Sequence, residues 1–235
     1  MDSITSEFIE LYKRLENLID NTYSDCDGSH GSLAWLVHEK KLPRSLCDEA
    51  DLCREVRNLL HHNVMIRDEC GISVNEVLIE SLREIYDFVQ YTPRALDVCI
   101  RKQDVYWVSR SQNALSVMEH MQEHAYTYAP LLDDGVVDGV FDMNVLLSYM
   151  LREGIVGEFD KLTLSDFGDD LSLDSCSSEV FEFVSRHVFA SDVAKLFSDN
   201  LCDRKQLGIV FVTENGKPAE KLLGIITAWD MSKFF

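Results

Sequence analysis

The feature of this sequence that most constrains its fold is an internal repeat in the C-terminal part. Each copy contains, in the same order, a β-branched and aromatic segment, a helical segment, two apolar segments separated by a glycine-containing turn, and a last helical segment. The central parts read APLLDDGVVDGVF in the first copy and LGIVFVTENGKPAEKLLGIIT in the second. Such a repeat sets the architecture, because each copy buries an apolar face against its neighbour. We predict two copies, at about 95–155 and 160–235.

The residues that precede the repeat differ in character and predict helices. Apolar residues recur at helical spacing over 3–23, a short helix follows in LAWLVHEK, and a longer one covers about 45–62. A fourth helix is expected in SVNEVLIESLREIYDFVQ, with Ser73 as its N-cap. We therefore predict an all-α four-helix domain over residues 1–92, and the α+β class for the whole chain.

The charge of the chain limits its partners. With 22 basic and 41 acidic residues the net charge is −19, which disfavours broad binding to DNA or RNA and leaves RNA only a local site. No apolar run approaches the ~18–20 residues that cross a bilayer, and the acidic N-terminus does not resemble a signal peptide. The seven cysteines lack zinc-site spacing. We expect a cytoplasmic protein with reduced thiols, without a membrane or DNA partner.

The repeat resembles a tandem pair of CBS (cystathionine-β-synthase-type) domains. The resemblance covers 95–235 and rests on the order and duplication of the segments quoted above, together with ALDVCI just ahead of the first copy. It implies two small β-sheets, flanked by helices, that pack with pseudo-twofold symmetry. It also implies clefts between them that bind an adenine nucleotide, either AMP, ADP, ATP or S-adenosylmethionine.

The stretch GIITAWD near the C-terminus matches the family's Gly-x-x-Thr-x-x-Asp pattern. The resemblance implies that Thr227 donates to a phosphate at a helix N-terminus and that Asp230 accepts from the ribose hydroxyls. The first copy has Asp142 and Val145 at these places, which suit a helix cap but not a nucleotide. The same spacing also fits a capping box in which Asp230 reaches back to Thr227. We predict one competent site, with the capping box as the alternative.

The pseudo-symmetry of the family implies that the ending of one copy faces strands of the other. The positions that contact the base would then come from VYW and from YTYAP, and the candidates are Tyr106, Tyr126 and Thr127. Aromatic rings can enclose adenine between them, although a tyrosine in a strand is often simply packed. Both interpretations remain open from the sequence.

The helical part contains CREVRNLLHHN, in which Arg57, Asn58 and His62 form an Arg-Asn-x-x-x-His motif. Together with the four helices, this motif resembles the HEPN superfamily of helical domains, many of which are metal-independent ribonucleases acting as dimers. The resemblance implies that His62 moves the 2′-hydroxyl proton and that Arg57 holds the scissile phosphate. The alternative is an inactive scaffold in which Arg57 pairs with Asp51 or Glu55.

Two further histidines, His120 and His124, are spaced i, i+4 on a predicted helix. We expect no third ligand nearby, and therefore exposed helix surface and no metal. The sequence as a whole predicts a cytoplasmic, homodimeric regulatory protein whose CBS pair binds an adenine nucleotide and biases the helical domain. The alternative function is a ligand-gated, metal-independent ribonuclease.

Overall fold

A computed structural model describes most of the chain in two compact units. One unit comprises Met1–Pro93 with Ser232–Phe235, and the other comprises Arg94–Met231. The described residues are 3–23, 32–61, 65–66, 69–70, 73–154, 159–175, 179–200 and 206–232. None of the helices within them combines the length and the apolar character that crossing a bilayer requires. Helices and small sheets both occur, so the α+β class is confirmed.

The first unit is mainly helical. Its elements are α1 (Ser3–Thr22), α2 (Leu33–His38), α3 (Arg44–His61), β1 (Met65–Ile66), β2 (Glu69–Cys70) and α4 (Glu76–Gln90). The strands β1 and β2 pair antiparallel, so the prediction of a purely helical domain is wrong at this point. Backbone groups beyond the end of α3 need partners, and the two short strands provide them for each other.

The core of the first unit joins the apolar faces of its helices. Helices α1 and α4 pack together, and α3 packs against α4. The side chains that these helices bury completely lie at helical spacing: Phe8, Leu15, Ile19, Ala50, Cys53, Leu82 and Ile85. The N-cap of α4 is Asn75, whose side chain accepts from the Leu78 N–H at 3.0 Å. The prediction of Ser73 as the cap is therefore wrong by two residues, because asparagine satisfies this N–H equally well.

The second unit contains the repeat. Its elements are α5 (Ala95–Val98), β3 (Ile100–Arg101), α6 (Ala114–His124), β4 (Ala129–Asp133), β5 (Val136–Phe141), α7 (Met143–Glu153), a 3₁₀ segment (Leu164–Leu171), β6 (Glu179–Ser185), α8 (Ala190–Asn200), β7 (Gln206–Thr213) and β8 (Gly224–Ile226). One sheet has the order β3-β8-β7-β6, in which only β6 and β7 are parallel. The other pairs β4 with β5 antiparallel.

Two glycines occupy the same place in the two copies, and each allows another backbone segment to pass close to its strand. A Cβ at Gly139 would overlap the carbonyl oxygen of Leu171, which precedes the first strand of the second copy. A Cβ at Gly224 would lie 2.5 Å from Cys99 Sγ and from the Ile100 carbonyl oxygen, in the segment that leads into the first copy. Each copy thus packs its last strand against the segment leading into the other copy, and only glycine leaves room for this.

The segment VYWVS is not the strand that its composition predicts. Only Val108 pairs there, in an isolated parallel bridge with Leu131. Val105 and Val108 are both buried, whereas Trp107 is 46% exposed. A strand alternates its faces with a period of two, so two buried positions three residues apart do not fit one.

The two copies also end differently. In the first copy Asp142 caps α7 as predicted, because its Oδ1 accepts from the Val145 N–H at 2.8 Å. In the second copy β8 is followed by turns over 228–231, so the expected helix does not begin directly after the strand within the described residues, which end at 232. Here the Asp230 N–H donates to the Thr227 carbonyl and the Met231 N–H to the Ala228 carbonyl. These i→i+3 bonds close turns rather than α-helical rings.

Candidate functional site

A cleft of about 460 Å³ lies in the second unit, between segments from both copies. The first copy contributes residues 100, 104–106 and 125–128, and the second contributes 206–209, 225 and 227–229. The aromatic side chains that line the cleft are Tyr106, Tyr126, Tyr128 and Trp229. The main apolar ones are Ile100, Val105, Leu207, Ile209 and Ile225. The polar ones are Asp104, Thr127, Gln206 and Thr227. An apolar cleft with a few polar groups is the usual form of a small-molecule site.

Four of the five residues predicted to hold the ligand line this cleft: Tyr106, Tyr126, Thr127 and Thr227. The rings of Tyr106 and Tyr126 are stacked, with centroids 5.8 Å apart and planes inclined by 18°. Burial raises the pKa of the Tyr106 hydroxyl, whereas Tyr126 is 42% exposed. Tyr126 therefore presents an accessible aromatic surface, and its ring stacks on the more buried ring of Tyr106.

The fifth predicted residue, Asp230, is half-buried and is not among the lining residues. Its Oδ2 accepts from the backbone N–H and from the hydroxyl of Thr227, both at 2.8 Å. The capping-box alternative is thus realised in part, because Asp230 does reach back to the Thr227 N–H. It is not a helix cap, however, since the threonine hydroxyl donates instead of accepting and turns follow.

The chain repeats this arrangement at a second Thr-x-x-Asp sequence, Thr163 to Asp166. There Asp166 Oδ2 accepts from the Thr163 N–H at 2.7 Å and from its hydroxyl at 3.0 Å. That pair begins the 3₁₀ segment and does not line the cleft. The Thr–Asp contact is therefore a local consequence of the spacing, and its position beside the cleft is what distinguishes Thr227 and Asp230.

Tyr128, Gly208 and Trp229 are among the lining residues that the sequence interpretation did not name. A Cβ at Gly208 would lie 3.1 Å from the Tyr128 ring and 3.3 Å from Phe181. The sequence did contain a signal for Gly208, because an isolated glycine inside an apolar strand often marks a place where another group lies close to the backbone. Trp229 is 88% exposed, and nothing in its local sequence separates it from an ordinary surface residue.

In the first unit, the structure surrounds Arg57 with protein groups. Its guanidinium lies 3.7 Å from the Glu16 carboxylate, donates to Asn58 Oδ1 at 3.2 Å and sits 5.5 Å from the centre of the Tyr12 ring. Burial and the nearby Glu16 raise the pKa of Tyr12 to about 12. The third predicted catalytic residue, His62, lies outside the described residues.

The carboxylate that Arg57 contacts is not one of those predicted. Asp51 pairs instead with Arg54, at 3.3 Å. Asp51 precedes Arg54 by three residues, so the two side chains share one face of α3. Glu16 is on α1, and such a contact between helices could not be read from the local sequence.

The expectation that His120 and His124 have no third ligand nearby is wrong. Glu123 lies with them, and one ligand atom from each of the three residues lies within 4.8 Å of the others. The spacing i, i+3, i+4 places these residues on one face of α6. The sequence already contained this signal.

No protein-family model matches the chain, and no curated protein matches it. Among solved structures, CBSX2 in complex with AMP is 18% identical, with a TM-score of 0.43 over 60% of this chain and 94% of that one. CbpB in complex with c-di-AMP is 13% identical, with a TM-score of 0.48 over 64% and 91%. The CBS-domain containing protein ATU1752 from Agrobacterium tumefaciens is 19% identical, with a TM-score of 0.41 over 60% and 97%.

Proposed function

We propose that Arg94–Met231 is a CBS-domain pair whose cleft binds one adenine-containing nucleotide, and that the protein is a regulatory ligand sensor. The observation that carries the proposal is the meeting of Tyr106, Tyr126, Thr127 and Thr227 around one cleft at the junction of the two copies. The cleft volume of about 460 Å³ lies within the range of roughly 300–1,000 Å³ that ligand sites occupy.

The base of the ligand would lie against the exposed ring of Tyr126. Base–aromatic stacking contributes about 1–3 kcal/mol per base and depends little on base identity. Specificity for adenine would come from the polar groups of the lining beside the ring, Thr127 and Gln206. Amide and hydroxyl groups both donate and accept, as the exocyclic amine and the ring nitrogens of adenine require.

Binding of the sugar and phosphate would replace hydrogen bonds that Thr227 and Asp230 make with each other. Asp230 Oδ2 takes both donors of Thr227, whereas Oδ1 accepts no hydrogen bond from the described residues. Rotation of the carboxylate toward the cleft would offer both oxygens to the ribose hydroxyls. The same rotation would release the Thr227 hydroxyl to donate to the phosphate, which has only acceptors.

The charge of the lining favours ligands with few phosphates. Among its described residues Asp104 is the one ionised group, and lysine and arginine are absent. A triphosphate would bring up to four negative charges without a cationic partner in this set. We therefore propose AMP or S-adenosylmethionine as the preferred ligand class, ahead of ATP.

The regulatory target would be the helical unit, which we propose to be a HEPN-like module that forms the homodimer. A ligand shifts such an equilibrium only by binding its states with different affinities. No contact within the described residues favours the ribonuclease alternative, because Arg57 already contacts Glu16 and Asn58. We therefore assign the helical unit to association.

Isothermal titration of the full chain with AMP, ADP, ATP, S-adenosylmethionine and c-di-AMP tests the proposal. Tyr126→Ala should weaken binding by about 1–3 kcal/mol, as loss of a stacked base requires. Tyr91→Ala serves as the control, because Tyr91 is 73% exposed and belongs to the other unit. Absence of heat with every ligand at millimolar concentration, or equal losses in the two variants, would refute the proposal.

A further inference from the structure

A cluster of metal-ligating side chains lies on α6, and none of its members lines the cleft, although its histidines stack on Tyr106 and Tyr126. It consists of His120, Glu123 and His124, whose ligand atoms lie within 4.8 Å of one another. His120 is half-buried, and the other two residues are exposed. A continuous helix therefore brings two imidazoles and one carboxylate to one solvent-accessible place.

The tautomer of His124 follows from its hydrogen bond. Its Nδ1 lies 3.0 Å from the carbonyl oxygen of His120. A carbonyl oxygen only accepts, so Nδ1 carries the proton and Nε2 keeps its lone pair. Histidines that bind metals usually donate their other ring nitrogen to a carbonyl or a carboxylate in this way, which fixes the ring and increases its basicity.

Stacking holds the two imidazoles. The His120 and His124 rings are stacked, with centroids 4.2 Å apart. Tyr106 stacks on His120 at 4.1 Å, and Tyr126 stacks on His124 at 5.5 Å. Side chains restricted in this manner lose less conformational entropy when a ligand fixes them.

We propose that His120, Glu123 and His124 bind a divalent transition-metal ion of the Zn²⁺ class, with a water molecule in the fourth position. Two imidazoles select such ions over Mg²⁺ and Ca²⁺, which prefer oxygen ligands. Tetrahedral ligands at 2.0–2.1 Å from zinc lie about 3.3 Å apart. The ligand atoms must therefore close from the observed spacing by up to ~1.5 Å, which rotation of the exposed Glu123 side chain and small shifts of the stacked imidazoles allow.

The test is titration of the metal-free full chain with ZnCl₂, followed by calorimetry, and with CoCl₂, followed by visible absorption. The wild-type chain should bind one ion with the cobalt spectrum of nitrogen and oxygen ligands. Glu123→Gln, which leaves the stacked rings in place, and His124→Ala should each weaken this binding by at least ~10-fold, the lower bound for losing even an outer-sphere partner of a metal. His187→Ala is the matched control, because His187 is another exposed histidine of the same unit.

Two results would overturn the proposal. One is the absence of zinc and cobalt binding by a folded wild-type chain. The other is binding that the Glu123 and His124 variants do not change, or whose cobalt spectrum contains thiolate charge-transfer bands, since either would assign the ion to cysteines. No nucleotide enters this experiment, so its outcome is independent of the proposed ligand of the cleft.

Discussion

Thr227 donates both its backbone N–H and its hydroxyl to a single carboxylate oxygen of Asp230, each across 2.8 Å. Thr227 lines the cleft, whereas Asp230 is not among the lining residues. The contact therefore links Thr227, which a ligand in the cleft would touch, to Asp230, whose carboxylate would have to rotate before it could bind that ligand. Whether this pair has a binding role or only a structural one can be measured.

Asp230→Ala tests the binding role of this pair. Loss of a charged hydrogen-bond acceptor should weaken an adenine nucleotide by about 1.5–3 kcal/mol, while the free energy of unfolding falls by about 1 kcal/mol or less. Calorimetric titration and thermal denaturation measure the two quantities. Asp166→Ala is the matched control, because it removes the same Thr–Asp contact away from the cleft. Equal effects of the two variants on affinity would mean that Asp230 is structural.

We expect one nucleotide per chain. Another cleft of about 630 Å³ in this unit is lined by Asp138, Asp174, Glu179 and Glu182. Arg110 pairs with Asp138 at 2.6 Å, and the remaining excess of carboxylates repels phosphate. Asp142, which takes the place of Thr227 in the first copy, is 3% exposed and already caps α7. Titration with AMP should therefore give a stoichiometry near one, and two equivalent sites would contradict this account.

Gly139→Ala should destabilise the second unit strongly. The added Cβ would overlap the Leu171 carbonyl oxygen, a backbone atom that cannot move without displacing its segment. We expect a loss of about 3 kcal/mol in the free energy of unfolding, at the upper end for an overpacked site. Gly154→Ala is the comparison: Gly154 has φ +65° but open space around it, so the cost should be about 1 kcal/mol. If urea denaturation gives equal losses in the free energy of unfolding for the two variants, the close approach of Gly139 to the Leu171 carbonyl would be excluded.

The purified chain should leave single-stranded RNA intact in the presence of EDTA. The Arg57 guanidinium lies 3.7 Å from the Glu16 carboxylate and donates to Asn58 Oδ1, so it already has an acidic partner and a hydrogen-bond acceptor within the unit. Denaturing gel electrophoresis of a labelled RNA, with and without AMP, checks this expectation. Cleavage that leaves 2′,3′-cyclic phosphate ends and is abolished by His62→Ala, but not by His61→Ala, would establish the ribonuclease alternative.

Glu220 should titrate far below an ordinary glutamate. Hydrogen bonds from the side chain and the backbone N–H of Asn215, at 2.7 and 2.6 Å, lower the pKa of Glu220 from 4.5 to about 2. Because the folded pKa lies below the unfolded one, the stabilisation is present above about pH 4.5 and is lost as the pH falls toward 2. A carboxyl NMR titration measures this pKa. Asn215→Ala removes the side-chain donor and keeps the backbone N–H, so it should raise the pKa part of the way to its usual range. An unchanged value would mean that the Asn215 side chain does not contribute to the shift.

Much of the second unit could be predicted because its signals are local. The order of its strands and helices follows from apolar periodicity and turn residues that lie within each element. The capping of α7 by Asp142 depends on four consecutive residues. The third residue of the histidine cluster, Glu123, was equally local, and the spacing His-x-x-Glu-His contained it.

Other features depend on segments that are distant in the sequence. VYWVS has the composition of a strand, but only Val108 pairs, through bonds with Pro130 and Leu132 at the edge of β4 that β5 leaves free. The partner of Arg57 is on α1, not on its own helix. Propensity describes a segment by itself, whereas pairing depends on what tertiary packing brings beside it.

The sequence by itself determined the repeat, the identity of most of its elements and the Thr-x-x-Asp spacing, since each of these is encoded within a few consecutive residues. Tertiary structure decided which of the two Thr–Asp contacts lies beside a cleft. That depends on where residues 104–106 and 125–128 of the first copy meet residues 206–209 and 227–229 of the second. Tertiary structure also decided why Gly139 and Gly224 must be glycines, since the backbone atoms that exclude a Cβ belong to segments about thirty and more than a hundred residues away. The spacing of residues along the chain can be read from the sequence, whereas the atoms that surround a glycine are known only once the chain is packed.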